Sequence, residues 1–550
     1  MPQLRRARVK TASWPALRPA LWAALLLGTA LSAPAARAAT ATDDQARAAE
    51  RALRDWLQGL LGGAVAAPDR PVQLQPEGDS YAVVIPLGKD AAITGHAAPQ
   101  DDGRWLLTGL KLPSPATFSL DIPSLGKSGE PPVMTRRTYQ LSIGQQDVSG
   151  VLDPSDKTPS TLQQRYEAFQ LTSRGGGVEQ AQQIARNVAQ SARTPRPDGR
   201  VDVDSTGAFE GYVLDSRFES GVAVHVAAER GHVSTQLGAV SPDKFTALTR
   251  ALIAVAAEAI ADMNGAGKDQ AHATPEQQAR LRAGLRALVA ALDGFGSAMQ
   301  ADYALETVQV QGGSTGSSYE GIARRASVGL GADAPDGVLK TYLDLGVEGL
   351  SIPGLLAKQG IPPRYADLVP TDIHLRPTLA GIGTKELLDM ARRALDAADQ
   401  GQPGPPDPAP LFAHGGVSAG LDAVSFNLGA TKFAGRGLLT FTAPAPDAFT
   451  GQGQVAATNF DALLDRAKQD PALQQALGAL TLAKGIGRTS GDQLVWDITY
   501  QDGKTLVNGV DLLAMAGGGH GAPVRTAPPA PPAPPASRPP APKGKPPPAR

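Results

Sequence analysis

The sequence predicts an α+β protein: an extended, curved antiparallel β-sheet with amphipathic helices packed on it, including a central helical hairpin. Three observations carry this. Short runs that alternate apolar and polar residues recur between turn residues, the two-residue period of a half-exposed antiparallel sheet. A few stretches instead keep apolar residues three and four apart, the helical period. Aromatic residues make up only 5% of the chain while glycine supplies 61 of its 550 residues, which suits a thin sheet with helices laid against it.

Residues 1–38 read as an export signal. Arg5, Arg6, Arg8, Lys10 and Arg18 form a basic region, and an apolar run with Leu21, Trp22, Leu25, Leu26 and Leu27 follows. Ala36-Arg37-Ala38 is an A-x-A cleavage site. The apolar run is about 12 residues, short of the roughly 20 that span a bilayer. The expected location is the periplasm, reached by the general pathway. The Arg5-Arg6 pair does not make a twin-arginine signal, because Ala7-Arg8-Val9 stand where bulky apolar residues belong. If uncut, the same segment anchors the chain in the inner membrane; peripheral association is the other membrane contact expected.

Residues 39–240 are expected to hold a helix and an antiparallel β region. Thr42-Asp43-Asp44 opens a helix to about Leu61, with Ala46, Ala49, Leu53, Trp56, Leu57 and Leu60 on one face. Alternating pieces at 81–85, 105–107, 118–122 and 138–143 predict strands. Asp79, Asp101-Asp102-Gly103 and Ser128-Gly129 mark turns between them.

Residues 241–300 predict the helical hairpin. Ser241-Pro242-Asp243 supplies an N-cap, a first-position proline and a first-turn acid, and Phe245, Leu248, Leu252, Val255 and Ile260 keep helical spacing. Thr274-Pro275-Glu276 repeats that signal ahead of Leu281, Leu285, Leu288, Val289, Leu292 and Phe295.

Residues 301–516 predict a C-terminal β-rich region built from strand–turn–helix units. A strand at 232–237 already leads into the Phe245 helix. The phrase returns at 372–376, with Gly381-Ile382-Gly383 as a turn and Thr384 capping a helix through Leu387, Leu388, Ala391 and Leu395. It returns again at 453–456, with Asn459 before Leu463, Leu464 and Ala467. The Gly/Ser run 312–318 reads as a mobile connection and 401–410 as a Gly/Pro loop. Trp496, Ile498 and Tyr500, the turn Asp502-Gly503, and Leu506-Val507 form a closing hairpin. Residues 517–550 are glycine and then a Pro/Ala-rich basic tail, which favours polyproline II and is expected to be disordered.

The chain has no cysteine. That removes disulfides, thiol nucleophiles, thiolate-bound zinc, iron–sulfur clusters and a lipoprotein anchor. The net charge of −1 hides an asymmetry. The leader holds six basic residues and the tail five, neither holds an acid, and the body keeps 41 basic against 53 acidic residues, a net −12. An acidic body disfavours nucleic acid as a partner.

Gly416-Val417-Ser418-Ala419-Gly420, with His414 nearby, matches a nucleophile elbow, which needs a strand before it and a helix after it. Residues 421–428 alternate like a strand, so a serine hydrolase acting through Ser418 ranks last. Residues 264–268 lack the phosphate-loop spacing: Asp262 replaces the first glycine and Asp269 the Ser/Thr. Residues 202–207 resemble the start of a calcium loop, but Val213 stands where a bidentate Glu belongs, so a strand with one solvated face is expected. The seven histidines (His96, His225, His232, His272, His374, His414 and His520) show no i, i+4 pair. The sequence therefore assigns no catalytic, cofactor-binding or metal residue.

Two stretches carry a resemblance. One holds Tyr365, Pro370, Thr371, Asp372 and His374 and ends in Gly381-Ile382-Gly383 and Leu387. The other runs from Gly485-Ile486-Gly487 through Leu494 and Trp496 to Val507-Asn508-Gly509. Together they resemble the proteobacterial domain-of-unknown-function family 2125 and, more loosely, the AsmA-like envelope proteins, over about residues 40–516. The first has no assigned active site, so the resemblance carries over nothing catalytic. AsmA-like proteins usually keep an N-terminal anchor, and the A-x-A site departs from that. The looser resemblance implies a long curved sheet with an apolar inner face, and contact with lipids. The expected function is non-enzymatic binding of a lipid-like or hydrophobic ligand, or maintenance of the cell envelope. The alternative is a structural or interaction protein whose basic Pro-rich tail engages cell wall or a protein partner.

Overall fold

The computed structural model describes residues 41–61, 71–86, 92–124, 133–155, 159–175, 177–245, 247–248, 251–252, 255, 275–314, 317–401, 406–443, 449–501 and 503–511. The leader, the Ser128-Gly129 turn, the 264–268 loop, His272, His520 and the Pro/Ala tail lie outside them.

Among the described residues, twenty-two strands join one open, curled, wholly antiparallel sheet, and 57% of these residues lie in strands and 24% in helices. The sheet was foreseen; the helices are a smaller part than the α+β expectation gave them. β1 (Gln73–Glu77), β2 (Ser80–Pro86), β3 (Ala92–Pro99) and β4 (Trp105–Lys111) form a meander around the turns at Asp79 and Asp102. β4 pairs with β7 (Gln145–Leu152), and β5 (Ala116–Ser124) pairs with β6 (Val133–Ser142). β6 and β7 together line one edge of β8 (Pro159–Gly175).

From β8 the ladder follows chain order. It takes in β9 (Val178–Pro195), β10 (Val201–Phe218), β11 (Ala223–Val240), β12 (Ala298–Ser314), β13 (Ser317–Asp333), β14 (Val338–Glu348) and β15 (Ile373–Gly383). It continues through β16 (Val417–Leu428), β17 (Thr431–Phe441) and β18 (Phe449–Thr458). β18 pairs with β20 (Gln493–Gln501), whose other edge takes β19 (Arg488–Ser490) and β21 (Lys504–Val507); β22 (Val510–Asp511) closes the row.

β8 to β13 are 17 or 18 residues long, about 55–60 Å at the usual rise per residue. One crease crosses them. Alternate strands place a residue in the left-handed region there: Ala168 (φ 51°) in β8, Gly211 (φ 63°) in β10, Thr307 (φ 53°) in β12, and Gly349 (φ 64°) just past β14. Rungs on both sides keep one register, as with Glu167–Arg186 and Phe169–Ile184. The alternation of faces reverses at the crease. Asn187 and Ala189 are buried on one side of it in β9, Ile184 and Gln182 on the other; in β10 Val201 gives way to Leu214 and Ser216. The local effect is that of a β-bulge, a bend that re-aims side chains. Gly144 extends the line to the β6–β7 junction, where its N–H donates to the Glu167 carbonyl at 3.0 Å.

Gly211 is required at this crease. Its φ is positive, and a Cβ there would lie 2.8 Å from the Ala185 Cβ. Gly211→Val combines a left-handed β-branched residue with an overpacked contact, and the expected loss is about 2–3 kcal/mol in a urea titration.

Helices cover the two ends of the sheet. α1 (Asp43–Leu61) seats Ala49, Ala52 and Leu53 on Val83, Ile85, Trp105, Leu107 and Leu152. The Trp105 ring meets Tyr81 edge-on at 5.2 Å, and Glu50 accepts from the Leu74 N–H at 2.9 Å. In the middle, the helix opening at Pro242 meets α2 (Pro275–Leu292), where a Cβ on Gly284 would come 3.1 Å from Val255. Phe245 stacks on Phe295 at 6.4 Å. The short α3 (Pro353–Lys358) lies beside β13. α4 (Thr384–Asp399) ties to α2 through Arg286–Asp396 (3.3 Å), Arg286–Asp399 and Arg392–Asp293 (2.7 Å). At the far end α5 (Phe460–Gln469) and α6 (Gln474–Ile486) seat Phe460 and Leu464 on Ala457, Leu494, Trp496 and Val507. Trp496 Nε1 donates to the Ala483 carbonyl at 2.8 Å.

Three local expectations are corrected. Gly381-Ile382-Gly383 is not a turn: β15 runs through it directly into α4, with Gly383 at the N-cap. Thr384 does not cap that helix; its buried Oγ1 has no partner. Residues 312–314 and 317–318 are not a loose connection but the paired ends of β12 and β13, where Gly312 leaves room for the Tyr319 ring.

Candidate functional site

The register sorts the side chains of the sheet into two chemically different faces. One row passes through Ala189, Gly207, Val233, Tyr303, Val328 and Leu345, then Leu375, Val424, Gly435, Val455 and Trp496. It crosses eleven strands without a charged residue. The neighbouring row runs from Leu305 through Ala326, Val347, Ile373, Phe426, Phe433 and Ala457 to Leu494 and is equally apolar.

Both ends of this apolar face are covered, by α1 at one and by α5 and α6 at the other. Phe295 and Leu248 cover its margin over Val201, Val203, Leu237 and Val240. The middle is open. Tyr303 is 40% exposed, Val328 42%, Leu343 38%, Leu379 37% and Leu439 40%. These exposed apolar side chains form one patch across β12 to β17 rather than scattered surface residues.

The opposite face is polar. Glu167, Arg186, Glu210, Arg230, Glu306, Arg325 and Glu348 stand in one cross-strand row of alternating sign beside the crease. Arg230 meets Glu306 at 3.0 Å. A slip by one residue would turn this row to the apolar face, so the ladder specifies register more than stability. Farther along, a groove of about 500 Å³ is lined by Asp204, Gln236, Gln300, Asp333, Lys340 and Tyr342 among others. At its border His374 Nε2 lies 2.7 Å from Asp344, and the Arg376 guanidinium stacks 4.3 Å from the Tyr342 ring centre.

The sequence-flagged residues are dispersed. Ser418 sits inside β16, paired with Ala380 and Thr440, with no strand-to-helix elbow. His414 faces Glu386 at 3.3 Å, both packed over Gly383 where a Cβ would collide. Hydrogen bonds from the Glu386 backbone N–H and from His414 hold that carboxyl below its ordinary range. Residues 202–207 are the start of β10; Asp202 pairs with Arg196 at 2.8 Å and accepts from the Ala239 N–H at 2.8 Å. His225 pairs with Asp215 at 2.8 Å and His96 with Glu77 at 3.4 Å. Among the described residues no three His, Asp or Glu side chains form a metal cluster, and no helix is long and apolar enough to cross a membrane.

The resemblance-bearing residues have structural roles. Asn427 Oδ1 accepts from the Thr371 and Asp372 N–H groups at 2.9 Å each. Asn508 (φ 49°) turns the chain before Gly509, donates to the Ile486 and Val495 carbonyls at 2.7 and 3.0 Å, and accepts from the Asp497 N–H at 2.8 Å. Asp497 accepts from Arg488 Nη2 at 2.8 Å and Gln454 Nε2 at 2.7 Å, and these bonds, Arg488 first, hold its carboxyl below the usual range. Its stabilising effect is thus present above the unfolded value of about 3.9 and is lost as pH falls through the lower folded value. The urea midpoint should stay level from pH 7 to 5 and drop below pH 4, with a shallower drop in Asp497→Asn.

No family model, curated protein or solved structure matches this chain.

Proposed function

We propose that this protein binds the apolar chain of a lipid-like ligand on the uncovered part of its apolar face, without chemistry on the ligand, in the bacterial periplasm. The observation that carries the reading is the uncharged eleven-strand row that helices cover only at its ends. The open strip from β12 to β17 crosses five strand spacings, about 24 Å, the scale of a long acyl chain. A chain laid there gains roughly 25 cal/mol for each Å² of apolar surface removed from water. The A-x-A leader supports the location, and the acidic body is consistent with a ligand other than nucleic acid.

The test is extraction of the purified mature protein followed by titration with cis-parinaric acid, whose fluorescence rises in apolar surroundings. The expected result is co-purified lipid, or saturable probe binding near one micromolar that cold fatty acid displaces. A protein that carries no lipid and leaves the probe dark contradicts the reading.

A further inference from the structure

The apolar face continues across the crease, and there it carries a single cation. Beyond the crease its positions in β6 and β8 to β13 include Tyr139, Leu141, Leu171, Leu214, Val226 and Val310. Arg137 is the one charged side chain among the described residues at these positions. It has no carboxylate partner among them. One Nη2 contact goes to Gln180 Oε1 at 3.3 Å, and the guanidinium carbon lies 5.8 Å from the Tyr139 ring centre. Its Nε is buried and has no hydrogen-bond partner.

A second donor on the same face is also unsatisfied. Gln182 is 2% exposed and its Nε2 has no partner. It stands two residues from Gln180 in β9, about 7 Å along the strand. Gln180 is oriented by its own Nε2, which donates to Ser216 Oγ at 3.1 Å. A buried unmade donor costs about 1–3 kcal/mol, and an unpaired charge on an apolar surface costs more. Two such donors, Arg137 Nε and Gln182 Nε2, therefore lack an acceptor on one side of the sheet. Phe118, stacked on Tyr139 at 5.3 Å and 41% exposed, leaves the margin beside Arg137 open to solvent.

We infer that Arg137, with Gln182 and the Gln180–Ser216 pair, receives the anionic head group of the ligand, a carboxylate or phosphate, while its apolar chain leaves Arg137 past the half-buried Leu141, Leu171 and Val226 toward the open strip that begins at β12. A guanidinium suits both oxyanions because its donors are planar and forked. This rests on the acyl-binding reading of the face.

The experiment compares cis-parinaric acid with its methyl ester, which keeps the chain and removes the charge. Wild-type protein should bind the acid about tenfold or more tightly than the ester, the scale of one charge-assisted hydrogen bond. Arg137→Gln should erase that preference and leave ester binding unchanged, which also shows that the face is intact; Arg137→Lys should keep most of the preference. Equal binding of acid and ester by the wild type, or an acid preference that survives Arg137→Gln, overturns the head-group assignment and leaves the acyl-binding reading standing. Binding of neither probe overturns both. Displacement of the acid by inorganic phosphate at the acid's own affinity would make this a free-anion site and also overturn the assignment.

Discussion

Val328→Asp lowers the affinity for a long-chain acyl probe by about 30-fold or more and shifts the thermal midpoint by only a few degrees. Val328 lies in the centre of the eleven-strand apolar row, between Tyr303 and Leu345. At 42% exposure its side chain leaves the free protein's core almost undisturbed, so an aspartate there stays hydrated until a ligand arrives. A bound chain strips that water from the carboxylate, and burial without a partner costs about 2 kcal/mol at the least. Leu343→Asp, one strand over, should act the same way. Fluorescence titration beside a melting curve separates the two effects. A parallel loss of fold and binding would place Val328 in the core and not in a site.

Trp105→Ala is the largest expected stability loss, about 3–5 kcal/mol in urea or guanidinium unfolding. Trp105 is 1% exposed and central to the cluster that seats α1 on β2, β4 and β7. Removing its ring leaves Tyr81 without its edge-on partner and opens a cavity beneath Leu53 and Leu107. The loss should come with weaker amide protection in α1, because that helix holds to the sheet through this cluster. Trp105→Phe should recover a large part of it, since the aromatic volume is partly kept. Loss of less than 1 kcal/mol would mean that α1 docks independently of this ring.

The local architecture was legible because it rests on local signals. Pro242 and Pro275 announced two helix starts in the middle of the chain, and the strand-like run 81–85 and the alternation of Trp496, Ile498 and Tyr500 announced β2 and β20. Chains this rich in paired strands also reveal their turns through residues such as Asp79 and Asp101-Asp102-Gly103. What stayed hidden is non-local. The crease reverses alternation in mid-strand through Ala168 and Thr307, two residue types that give no sign of a left-handed conformation in sequence. Read with a fixed two-residue period, Leu214 and Ser216 fall on the wrong face. Gly381–Gly383 looked like a turn because glycine usually ends a strand; here small residues let β15 pass close to Gly416 and let Glu386 and His414 pack over Gly383.

The candidate site was invisible for the same reason. Its rows draw one residue from each strand, at separations of 7 to 70 positions, so no motif exists to be found. The ladder of opposite charges shows the principle: Glu167 and Glu348 belong to one row only because six registers align them. Arg137 follows Arg136 in sequence and looks like part of an ordinary surface pair. Only the register places Arg136 opposite Asp121 and leaves Arg137 on the apolar face. The absence of cysteine leaves no thiol for chemistry, but composition does not tell which face is covered.

Photo-crosslinking tests the central claim most directly. The purified protein is incubated with a fatty acid bearing a diazirine on its chain, illuminated, digested and mapped by mass spectrometry. The account predicts adducts concentrated on the apolar-face positions of β12 to β17 and, beyond the crease, of β8 to β12, with Val328→Asp depleting those near its row. Adducts that fall on the Glu210–Arg230–Glu306 face or on the outer surface of the helices, at the frequency seen with unfolded protein, would contradict it.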